Sequence, residues 1–82
     1  MNSVLVGIIA QYALFLERAD ESAMPLEMVV RQQEDLAFRL QQLSTLERLE
    51  FVRILSAFAD DVSNDEDREI LLRLPDETGI RV

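Results

Sequence analysis

Cysteine and histidine are both missing from the 82 residues. Their absence excludes disulfide staples, thiolate and imidazole metal sites, and every catalytic arrangement built on a Cys-His or Ser-His pair. Lysine is missing too, since all eight basic residues are arginine. That removes a Schiff base, a phosphate-cradling P-loop lysine and a desolvated lysine base. Glycine and proline occur twice each, and no Gly/Ser linker, low-complexity tract or internal repeat divides the chain, so residues 1–82 read as one domain. The most apolar stretch, Val4 to Leu16, falls short of the roughly 20 residues needed to cross a bilayer, and Gln11 interrupts it. No basic residue precedes Arg18 and no small-residue cleavage site follows the apolar run, so an unprocessed, cytoplasmic chain is expected, without a membrane partner.

What is present is acid. Sixteen carboxylates against eight arginines give a formal charge of −8, which repels nucleic-acid phosphates and anionic lipid and favours a basic protein partner. Six of the carboxylates fall within "DDVSNDEDRE", residues 60 to 69. A calcium loop starting at Asp61 needs glycine at its sixth position and glutamate at its twelfth, and finds Glu66 and Leu72. A two-carboxylate hydrolase needs a concave apolar pocket, which a bundle of this length rarely provides. No catalytic residue, metal or cofactor is therefore expected.

The periodicity is helical throughout. Helix 1 is expected from about Val4, capped by Asn2 or Ser3, to Arg18, with "ADESAM" as a turn. Helix 2 begins near Pro25 and carries an apolar seam of Leu26, Val29, Val30, Leu36, Ala37, Leu40 and Leu43, with Gln33 as its one polar member. Glu27 with Arg31, and Asp35 with Arg39, are exposed pairs four apart. "STLE" at 44–47 is a capping box that opens helix 3, whose stripe is Phe51, Ile54, Leu55, Phe58 and Val62. "SNDE" at 63–66 is a second such pattern. It opens a short helix 4 that Pro75 is expected to stop, leaving 75–82 as a loose tail. The expected fold is all-α: a small antiparallel helical bundle of three longer helices plus one short C-terminal helix.

Two features exceed what such a bundle requires. Asp65, Glu66 and Asp67 sit where negative charge favours the start of a helix, but Asp60, Asp61 and Glu69 lie outside that turn and add self-repulsion. Either the run is solvated surface, or it meets a basic partner, with Phe58 or Val62 as apolar contacts at its edge. Helix 1 is apolar on all sides. A core face of Val4, Leu5, Ile8, Ile9, Tyr12, Phe15 and Leu16 leaves Val6, Gly7, Ala10, Ala13 and Leu14 either to be wrapped by helices 2, 3 and 4 or, as is expected, to form a two-fold homodimer seam.

The stretches "FLERADES", Met24-Pro25, "VVRQQEDLAFRLQQLS" and "TLERLEF", between Phe15 and Ala59, resemble a group of short acidic helical bacterial proteins that are candidate toxin-immunity proteins. The resemblance implies a small helical fold and an antidote that occludes an effector without catalysis. It carries over no binding residue. Assigning Asp60, Asp61, Asp65, Glu66, Asp67 and Glu69 to a basic toxin is an inference from charge alone. Two alternatives stand beside it: a nucleic-acid mimic that inhibits a nuclease or DNA-binding protein, and a homodimeric structural adaptor whose acidic run maintains solubility.

Overall fold

A computed structural model describes residues 1–81. It contains four helices and, among the described residues, no strand: α1 (Ser3–Arg18), α2 (Leu26–Leu40), α3 (Thr45–Asp60) and α4 (Asp65–Glu77). The fold is all-α, as the periodicity requires.

Each helix start has a local chemical cause. Asn2 caps α1 by accepting from the backbone N–H groups of Val4 and Leu5. The capping box at α3 is complete, with Glu47 N–H donating to Ser44 Oγ at 3.2 Å and Ser44 N–H donating to Glu47 Oε1 at 2.8 Å. The Ser44 N–H, first, and then the Ser44 hydroxyl hold the Glu47 carboxyl below its ordinary range. Asp20 is likewise lowered, chiefly by the Ser22 hydroxyl and then by the Ala23 N–H, in the turn that joins α1 to α2. Pro25 caps α2 from just outside it, its carbonyl accepting from Met28 and Val29. At α4 the cap is Asn64, not Ser63: its side chain accepts from Asp67 N–H at 3.0 Å. The expected second capping box is a single asparagine cap.

Two arginines close the corners between helices. Arg48, four residues after the α3 cap, donates to the carbonyls of Leu43 and Gln41 at the end of α2. Arg68, four residues after the α4 cap, donates to the carbonyls of Ala59 and Val62 at the end of α3, and to Asp65. Each cation thus meets carbonyls at or just beyond a helix end, near the negative pole of its dipole. Asp60 and Asp61, an unfavourable sign at that pole, are tolerated beside Arg68.

α1 and α3 run in the same sense, since the Met1 amino group pairs with Glu50 and, further along, Gly7 lies against the Phe58 ring. α4 returns against them, with Arg18 at the end of α1 paired to Asp67 at the start of α4. α2 rests mainly on α1, where Tyr12 donates to Gln32 and Gln33 donates to Glu17. The core is centred on Phe51, Leu55 and Leu71, all essentially inaccessible. Leu16 and Val29 are also buried, outside that main cluster.

Three expectations change. α4 does not stop at Pro75 but continues to Glu77 with Pro75 buried in its last turn. There the missing proline N–H deprives only Leu71 of its donor. Nor are residues 78–81 loose. Gly79 takes φ +76°, Gly79 N–H donates to Asp76 and Ile80 N–H to Pro75, so the helix ends in a Schellman turn. Ile80 is fully buried, and Gln41 Nε2 donates to the Thr78 carbonyl at 2.8 Å; Val82 lies outside the described residues.

The third change concerns α1, which is turned over relative to the expected face. Val6, Ala10, Ala13 and Leu14, expected at a dimer seam, are buried in the monomer, and Gly7 is half-buried. Val4, Leu5, Ile8, Tyr12 and Phe15, expected in the core, are 68, 57, 58, 37 and 52% exposed. Size decided the face. Small side chains at Gly7, Ala10 and Ala13 let α3 and α4 approach the α1 backbone, which bulky Ile8 and Phe15 could not do.

Candidate functional site

α2 and α4 straddle α1 while touching each other only slightly, and the space between them is a cleft. Its volume is about 280 Å³ and its floor is apolar: Ala13 and Leu16 from α1, Leu36 and Ala37 from α2, Ile70 and Leu74 from α4. Around this floor stand Glu17, Glu34 and Glu77. A shallower hollow of about 410 Å³ adjoins it, sharing Glu17 and Ile70 and adding Asp65, Glu66, Glu69 and Arg73. Together they make a trough with an apolar bed and carboxylates along its rim.

Few of these carboxylates are neutralised. Among the described residues Glu17, Glu34, Glu66 and Glu69 form no ion pair, Asp65 pairs with Arg68, and Glu77 lies 3.8 Å from the only lining cation, Arg73. Such a rim presents a negative potential over a low-dielectric floor, which strengthens its attraction for a cation. At about 280 Å³ the deeper cleft lies at the lower edge of small-molecule sites, which run from about 300 Å³. It suits a side chain presented by a protein better than a whole cofactor.

The expected acidic patch is divided by this arrangement. Asp65, Glu66 and Glu69 line the hollow. Asp67 is committed to Arg18 and is 19% exposed at its side chain, so it holds α4 to α1 and does not face a partner. Asp60 and Asp61 are exposed at the end of α3, outside the lining of either hollow. Phe58 and Val62, expected as apolar contacts at the patch edge, are half-buried and pack against the core. The apolar lining of the cleft includes Leu36, Ala37 and Ile70 instead. Glu17, Glu34 and Glu77 were not legible as site residues, because they come from three helices and join only when α1, α2 and α4 pack. Among the described residues no group of three or more acidic side chains has the geometry to hold a metal ion, and no helix is long and apolar enough to cross a membrane.

Comparison of the chain with protein-family models, curated proteins and solved structures finds no match.

Proposed function

We propose that the protein is a non-catalytic antidote that binds and occludes a basic effector protein, seating a cationic, amphipathic segment in the trough between α1, α2 and α4. The observation that carries the reading is the pairing of an apolar bed with unneutralised Glu17, Glu34, Glu66 and Glu69. An apolar anchor gains from burial on Leu36, Ala37 and Ile70, while flanking arginines or lysines meet the rim. A pure imitation of nucleic-acid charge has no use for an apolar bed, which favours a protein partner over a mimic. The same pairing goes beyond what solubility asks of an adaptor's surface. Occlusion needs no catalytic group on this chain, only a complex that blocks the effector's working surface.

Co-expression with the product of the neighbouring gene tests the reading. That product is expected to be toxic alone and harmless with this protein present. Reversing Glu17 and Glu69 to lysine should abolish protection while leaving the helical circular dichroism unchanged, since both side chains are exposed. Converting Asp60 and Asp61 to asparagine should leave protection intact. A harmless neighbour, or full protection by the Glu17→Lys/Glu69→Lys variant, refutes the proposal.

A further inference from the structure

A different side of α1 carries five exposed apolar or aromatic side chains. Val4, Leu5, Ile8, Tyr12 and Phe15 recur at three- and four-residue spacing, so they form one continuous stripe facing solvent. Taking about 150 to 200 Å² for full exposure of side chains of this size, their exposed fractions leave roughly 500 Å² of apolar surface. A patch of that extent is at the upper end of what monomers leave bare.

We propose that this stripe is covered by the stripe of a second copy, the two α1 helices packing antiparallel about a two-fold axis. Three observations select that occupant. The first is area: two stripes together bury roughly 1,000 Å², the size at which a specific interface begins, before flanking Gln11 is included. Charge is the second. On a chain of −8, α1 has no acidic residue before Glu17 and none in its first turn, so this is the surface on which two copies meet without setting carboxylates against each other. The third is self-complementarity. With the axis between Ile8 and Tyr12, Ile8 meets Tyr12 of the partner subunit and Leu5 meets Phe15 of the partner subunit, and the opposed helix dipoles are aligned favourably. A lipid surface is a poor occupant, because the helix lacks the Lys/Arg-rich flank that anchors interfacial helices. The pairing leaves the acid-rimmed trough open and does not depend on it.

Sedimentation equilibrium of the full chain tests the pairing directly. At about 100 μM the protein should be dimeric, a concentration at which even a micromolar Kd leaves little monomer. Ile8→Asp places one carboxylate from each copy in the seam and should raise Kd by about 100-fold or more, while circular dichroism stays helical because Ile8 is exposed in the monomer. The double variant Leu5→Cys/Phe15→Cys, in a chain with no other cysteine, should oxidise to a covalent dimer at low micromolar concentration. A monomer at 100 μM, a dimer indifferent to Ile8→Asp, or failure of the double-cysteine chain to cross-link overturns the proposal. If Ile8→Asp unfolds, the cross-link alone decides between dimer and monomer.

Discussion

Replacing Ile80 by alanine asks whether the segment after α4 is part of the fold. Ile80 lies three residues beyond the last helical residue, yet it is fully buried and its N–H closes the turn onto the Pro75 carbonyl at 3.0 Å. Ile80→Ala keeps that backbone bond and removes only the side chain beyond Cβ. Truncations of this kind in a packed core cost about 2 to 5 kcal/mol, and a site near the chain end relaxes more readily, so about 2 to 3 kcal/mol is expected. For a domain of this length total stability is about 4 to 12 kcal/mol. The loss is therefore a large share of it and should lower Tm by about 10 to 20 °C. Urea denaturation followed by circular dichroism measures the change, with the m-value unaltered if the native fold is retained. A loss under about 0.5 kcal/mol, the size of an ordinary surface substitution, would refute the packing of this segment against the core.

The same turn predicts that Gly79→Ala destabilises by about 1 kcal/mol, because φ is +76° and an added Cβ meets Gln41 Nε2 at 3.2 Å; Gly79→Asn should cost less, and equal effects of the two in urea melts would contradict this. Arg68→Met should cost about 1 to 2 kcal/mol, reduced from the full value of charged hydrogen bonds because the side chain is 36% exposed, whereas Arg31→Met, with no ion pair among the described residues, should be nearly neutral. Glu47 has a folded pKa below its usual 4.5, so the stabilisation it provides is complete at neutral pH and disappears as pH falls from about 4.5 through the folded value. The stability difference between the natural chain and Glu47→Gln should accordingly be larger at pH 7 than at pH 3, and a pH-independent difference would show that the carboxylate is not the group involved.

Helix positions were legible from capping chemistry and periodicity because both are local. Asn2, Ser44 with Glu47, and the acidic first turn of α4 act within one turn of themselves. What was not legible was which side of α1 faces inward, since hydrophobicity cannot discriminate on a helix apolar all round. The deciding quantity was side-chain volume at Gly7, Ala10 and Ala13, a signal present in the sequence and open to two meanings, close approach of α3 and α4 or of another copy. The path through Pro75 was missed for a related reason: proline forbids continuation in a helix interior but costs only one donor near an end that Gly79 and Ile80 then close. Of the acidic run, charge alone could not show that Asp67 pairs with Arg18, or that Glu17, Glu34 and Glu77 complete the rim.

The corners made by Arg48 and Arg68 also set an order of events. Each bridges residues no more than nine positions apart, so either can close as soon as its own short segment leaves the ribosome. α1 has no such neighbour: Ala10 and Ala13 must wait for α3 and α4, and about 60 residues separate Arg18 from Glu77. At about 5 to 20 residues per second, the side of α1 that α3 and α4 bury stays uncovered for several seconds. Slower synthesis between residues 20 and 77 lengthens that interval and faster synthesis shortens it.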